Sequence, residues 1–172
     1  MNGMNWKDFV DSIREAGDYQ ATVKKAPRDK LTKRGPQRKG GAPFDKEPFD
    51  THDRLEPNIW DGDELKPKIR SKLLKIAEDF IKGLPVDVEI KDITLTGSLA
   101  NYNWSNYSDV DLHIIVDFLK VDENLRLVKS FFDNARMKWN NDHQIRMKGY
   151  DVEIYVEDSR ESHKSSGLYS IM

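Results

Sequence analysis

Asp109 and Asp111 flank Val110 in Ser108-Asp-Val-Asp-Leu-His-Ile-Ile-Val. Alternation places both carboxylates, with His113, on one face of a strand whose other face carries Val110, Leu112 and Ile114. Alternate Cα atoms on a strand lie about 6 to 7 Å apart, so both side chains can converge on one hard cation, with oxygens about 2.1 Å from a magnesium ion. Two solvated carboxylates at a strand edge would leave the same pattern. Upstream, Thr94 to Thr96 alternate as a strand does, and Gly97-Ser98 breaks the alternation where the chain leaves the sheet. Ser98 is expected to cap a helix starting there, whose backbone N–H groups would cradle phosphate. Phosphate binding beside paired carboxylates points to nucleoside triphosphate chemistry.

A third acid comes from Tyr150 to Glu157, which reads as a strand with Val152, Ile154 and Val156 on one face and Asp151, Glu153, Tyr155 and Glu157 on the other. Glu153 stands between two apolar neighbours, and Asp151 is the alternative one step along the same face.

These residues together resemble the DNA polymerase beta-like nucleotidyltransferase superfamily. Its signature is a hydrophobic strand, Gly-Ser, a connector of roughly ten residues, an acidic-x-acidic strand, and a later acid between hydrophobic residues. The resemblance implies an α/β (α+β) nucleotidyltransferase fold, a small mixed β-sheet flanked by helices. It also implies that Asp109, Asp111 and Glu153 are the catalytic metal ligands, holding two Mg2+ ions with Mn2+ as a substitute. Gly97 and Ser98 would bind the nucleotide. The reaction implied is transfer of a nucleoside monophosphate from a triphosphate, ATP among them, to an acceptor hydroxyl. Many members carry an arginine or glycine a few positions after the serine, whereas this chain has Leu99-Ala100-Asn101-Tyr102-Asn103 and no basic residue between Gly97 and Asp111. Triphosphate charge must then be met by the metals and by more distant groups, for which Lys129, Lys138 and Lys164 are candidates. Trp104, Tyr102 and Tyr107 suit either base stacking or packing within the connector. For His113, a structural role two residues deeper than Asp111 is the expectation.

The elements that must position these residues follow from periodicity. A helix is expected from about Glu64 to Lys82, with Ile69, Leu73, Ile76, Ala77 and Phe80 on one face, Asp63 as its cap and Pro67 in its first turn. Val88 to Thr96 reads as the first sheet strand, interrupted at Asp92. Leu125, Val128, Phe132, Ala135 and Trp139 predict a crossover helix within Val121 to Trp139, with Phe131 and Met137 off that face. A turn at Asn140 to Asp142, a strand from Gln144 to Met147 and a Gly149 turn precede the Glu153 strand. Leu168 to Ile171 begins to look like another strand.

Ahead of this 55–172 catalytic domain, two appendages are expected. Residues 1–18 hold a short amphipathic helix with Trp6, Phe9, Val10 and Ile13 on one face. Residues 19–54 form a Pro- and Gly-rich linker, and within its 24–41 stretch Lys24, Lys25, Arg28, Lys30, Lys33, Arg34, Arg38 and Lys39 oppose Asp29 alone, while the whole chain has net charge -2. The basic 24–41 stretch suits phosphate neutralisation and makes a nucleic-acid 3′ end the first acceptor to consider, ahead of a protein or small-molecule hydroxyl. It equally suits a solvated linker.

With 172 residues, 37% of them hydrophobic, the chain has room for one modest core. The absence of cysteine excludes disulfides, thiolate metal sites and cysteine nucleophiles. No apolar run reaches the roughly 18 residues of a membrane span, so no membrane partner and a soluble, cytoplasmic protein are the expectation. The larger helical domain found in bigger members of the superfamily has no room here, which makes the chain a minimal catalytic domain or a fragment. The competing reading is a catalytically inactive, antitoxin-like binding protein that kept the fold.

Overall fold

The computed structural model describes residues 51–172. The expected helix at 5–16 and the basic stretch 24–41 lie outside the described residues. Strands β1 (Trp60–Asp61) and β2 (Glu64–Leu65) form a small hairpin, followed by α1 (Pro67–Lys82). Then come β3 (Ile90–Thr96), a 3₁₀ turn at Ser98–Ala100, β4 (Val110–Val116) and a second 3₁₀ turn at Phe118–Lys120. The chain continues through α2 (Leu125–Asp142), β5 (Ile145–Met147), β6 (Tyr150–Asp158) and β7 (Leu168–Ser170). The five-stranded sheet has the order β5-β6-β4-β3-β7. Only β4 and β6 run parallel, joined by the α2 crossover, and every other pair is antiparallel. This is an α+β architecture with an open mixed sheet.

One core cluster joins the sheet to both helices. Val110, Leu112, Ile114 and Val116 of β4, with Val152, Ile154 and Val156 of β6, are all buried. Ile69, Leu73, Ala77 and Phe80 of α1 and Val128 and Phe132 of α2 belong to the same cluster. The helices touch through an edge-to-face contact between Phe80 and Trp139, with ring centroids 5.7 Å apart. Full burial of each such side chain is worth about 1.5 to 3 kcal/mol. A one-residue slip of β4 would therefore bury Asp111 and expose four core residues, so the core itself fixes which face carries the carboxylates.

Several boundaries differ from the sequence expectation. Helix α1 starts at Pro67, not Glu64, because Trp60 to Leu65 is spent on the hairpin, with Gly62 in its turn at φ 61. Lys66 occupies the cap position without a side-chain cap, and Asp63 caps nothing there. Helix α2 starts later, at Leu125, where the Asn124 side chain accepts from the Leu127 N–H at 3.2 Å. It runs through Asn140 to Asp142 instead of turning there. On its expected apolar face Val128 and Phe132 are buried, whereas Leu125 is 39% exposed; Met137, expected off that face, is 52% exposed. The interruption at Asp92 is a register shift in the β3–β4 pairing between Ile90 and Asp92. There the Asp92 carboxylate accepts from the Ile93 N–H and the Ser170 hydroxyl, each at 2.8 Å.

Candidate active site

Parallel pairing of β4 with β6 places Asp111 directly beside Glu153, with Val110 beside Val152 and His113 beside Tyr155. Side-by-side residues project from the same face, so the two acids share the face opposite the core. Asp109 ends the connector that leads into β4 and is exposed, while Asp111 is half-buried. The antiparallel partner of Asp111 on β3 is Thr96, one residue before Gly97. The sequence-predicted carboxylates and the Gly97 turn thus meet at one end of the sheet.

The electrostatics follow from that crowding. Burial, reinforced by the charges of Asp109 and Glu153, pushes the Asp111 carboxyl from 3.8 up to about 6. Asp109 is also raised, by burial first and then by Glu153 and Asp151. An all-oxygen donor set whose charges repel one another fits a hard divalent cation. Among the described residues, the group of ligand atoms that lie within 4.8 Å of one another is a different one, His113, Glu157 and His163. Glu153 is oriented by Tyr155, whose hydroxyl donates to its Oε2 at 2.7 Å. That bond, after burial, raises the phenol of Tyr155. Asp151 takes a different partner, accepting from Arg146 Nε at 2.6 Å on the exposed edge. Glu153 is therefore the acid directly beside Asp111, and Asp151 pairs with Arg146 of β5.

Gly97 adopts φ 78, in the left-handed region that favours glycine, and a Cβ there would lie 2.4 Å from Asp111 Oδ2. The Gly97 N–H already has partners, donating to Ser165 Oγ at 2.8 Å and to Gly167 O at 3.3 Å. Ser98 does not cap the 3₁₀ turn. It is the first residue inside the turn, Gly97 takes the cap position, and the Ser98 hydroxyl donates to Ser108 Oγ at 2.7 Å instead. Among the described residues, no backbone hydrogen bond engages the N–H of Ser98 or Leu99. Those two N–H groups are what the turn can offer an anion. The turn is held from two sides, by Trp60 Nε1 donating to Leu99 O at 2.8 Å and Asn101 Nδ2 donating to Ser166 O at 2.7 Å.

The connector aromatics divide. Trp104 packs internally, stacked on His52 with centroids 3.9 Å apart and donating from Nε1 to Arg54 O at 3.0 Å. Tyr107 is 94% exposed. Of the three lysines, Lys129 lies 3.9 Å from Glu161 and Lys138 lines a separate cavity of about 270 Å³ between the helices. Lys164 is adjacent in sequence to Ser165, in the segment that packs on the Gly97 turn. A larger cavity of about 500 Å³ opens beside the carboxylates, lined by Asn140, His143, Arg146, Asp151 and Glu153 among others.

Apart from Lys164, sequence reasoning missed the 159–167 segment. Glu157 carried a signal through its strand alternation. His163, Ser165 and Gly167 carried none, because an irregular loop has no period to read. No helix among the described residues is long and apolar enough to cross a membrane. No protein-family model matches the chain, and no curated protein or solved structure is significantly similar to it.

Proposed function

We propose that this chain is a metal-dependent nucleotidyltransferase that moves a nucleoside monophosphate from a nucleoside triphosphate to an acceptor hydroxyl. The observation that carries the reading is the in-register pair Asp111 and Glu153 on adjacent parallel strands, with Asp109 at the strand entry and the Gly97 turn alongside. Asp109 and Asp111 would hold the ion on the triphosphate side, and Asp109, Asp111 and Glu153 the ion on the acceptor side. When bound, two Mg2+ ions would neutralise charge on the triphosphate and activate the acceptor oxygen. In the transfer, a bond forms from the acceptor oxygen to the α-phosphorus as the bond to pyrophosphate breaks.

The protein's own groups divide the remaining work. Tyr155 fixes the rotamer of Glu153. The N–H groups of Ser98 and Leu99 meet phosphate oxygens, and Lys164 approaches from the neighbouring segment. The 500 Å³ cavity next to Glu153 receives the acceptor, and Arg146 on its wall suits an acceptor bearing phosphate. That chemistry, with the basic 24–41 stretch, keeps a nucleic-acid 3′ end first among acceptors.

A non-catalytic, antitoxin-like binding role is the second reading. It is favoured by the Gly97 N–H being satisfied from within and by the lack of any basic residue in the turn. One assay separates them. The full chain is incubated with each α-labelled NTP, Mg2+ or Mn2+, and a mixed RNA and protein pool. Covalent label that disappears with Asp109→Asn supports transfer; salt-sensitive RNA or protein binding that survives Asp111→Asn, without label, supports the binding role.

A further inference from the structure

A second cluster of ligating side chains lies on the same sheet face, deeper than the carboxylates. His113 of β4, Glu157 of β6 and His163 of the 159–167 segment each offer one ligand atom, and these atoms all lie within 4.8 Å of one another. Glu157 stands between the two rings, with Oε1 2.9 Å from His113 Nδ1 and Oε2 3.1 Å from His163 Nδ1. His113 Nδ1 is buried and, despite that short distance to a carboxylate oxygen, does not meet full hydrogen-bond geometry. His163 Nε2 is likewise buried without a partner. So is Thr94 Oγ1, on the residue that pairs directly across from His113. Buried polar atoms left unpaired cost about 1 to 3 kcal/mol each, so the two unpaired ring nitrogens on one face call for an occupant. An imidazole nitrogen and a carboxylate oxygen that sit close without aiming at each other are what two ligands of one shared cation look like.

We propose that His113, Glu157 and His163 form a binding site for a single divalent transition ion of the zinc class, separate from the Asp109, Asp111 and Glu153 site. Two imidazoles and one carboxylate suit zinc, not magnesium, which takes oxygen ligands. Three protein ligands leave a fourth position for water. Entry is from the Glu157 side, whose side chain is 31% exposed against 11% for His113. The ion has a structural consequence. His163 belongs to the segment whose Ser165 and Ser166 hold Gly97 and Asn101, so ligation ties that segment, and through it the turn, to the sheet. None of this depends on the chain being a nucleotidyltransferase.

The test uses the full chain, stripped of purification tag and of metal by chelation, titrated calorimetrically with Zn2+ in excess Mg2+. The expected result is one Zn2+ per chain with a raised melting temperature, and a tetrahedral spectrum when Co2+ replaces it. His163→Ala and Glu157→Gln should each weaken Zn2+ binding by at least about 100-fold. Asp111→Asn and His143→Ala should leave it unchanged. Failure of the wild-type chain to bind Zn2+ would overturn the site, as would binding lost in Asp111→Asn but retained in His163→Ala.

Discussion

Gly97 lies so close to Asp111 that a Cβ on the glycine would sit 2.4 Å from the carboxylate oxygen Oδ2. The turn and strand β4 are thus one packed unit, and the positive φ of Gly97 adds a second reason for glycine. Gly97→Ala should cost at least about 2 kcal/mol, combining backbone strain with the displaced carboxylate. Urea denaturation measures this. In an Asp111→Ala background the same substitution should cost about 1 kcal/mol, because only the backbone term survives.

Gly167 is a second close approach of different origin. Its φ is ordinary, but a Cβ would meet Ala100 O at 2.3 Å and Gly97 O at 2.8 Å, both backbone atoms that cannot swing aside. Gly167→Ala should therefore push the 159–167 segment off the turn. Hydrogen exchange at the Gly97 amide, now protected by Ser165 and Gly167, should speed up by about tenfold or more, while exchange in α1 stays constant.

The raised carboxyl of Asp111 makes a pH prediction for the metal-free chain. An acid whose pKa is higher folded than unfolded destabilises the fold as it ionises. For Asp111 that cost is absent below 3.8 and complete above about 6. After allowance for solvent screening of a half-exposed side chain, the cost at neutral pH is about 1 kcal/mol. In chelator, Asp111→Asn should then melt about 3 °C above wild type at neutral pH, with the gap closing as pH falls through that window. Millimolar Mg2+ or Mn2+ should raise the wild type and not the variant. Parallel thermal melts with and without metal read both effects.

Tyr155 donates one hydrogen bond of 2.7 Å to Glu153, which in the proposed reaction makes it a positioning residue. Tyr155→Phe should leave the fold intact, because the ring keeps its stack on His113 at 4.8 Å between centroids. The Mg2+ concentration for half-maximal transfer should rise about threefold to tenfold, with a smaller change at saturating metal. A purely structural tyrosine would lower activity without moving that midpoint.

The positions of the longer strands along the chain and the face of each carboxylate were legible in the sequence because both rest on period-two alternation, which burial of Val110, Leu112, Ile154 and Val156 enforces. The choice of Glu153 over Asp151 was not fixed by alternation, since both lie on one face. The proposal of Glu153 rests on the register that sets it beside Asp111, with Asp151 ion-paired to Arg146. The β1–β2 hairpin was hidden because two-residue strands are too short to show a period. The 159–167 segment was hidden because its contacts with Gly97 span about seventy residues of sequence, and no local signal encodes a long-range hydrogen bond.

The most direct test of the central claim compares labelled nucleotide transfer by the wild-type chain with that of Asp111→Asn, Glu153→Gln and Asp151→Asn, each first shown to be folded by its melting curve. The pairing of Asp111 with Glu153 predicts transfer by the wild type, a loss of about 100-fold or more in the first two variants, and a change under about threefold in Asp151→Asn. Transfer that persists in both Asp111→Asn and Glu153→Gln, or a wild-type chain that transfers no label from any NTP, would contradict it.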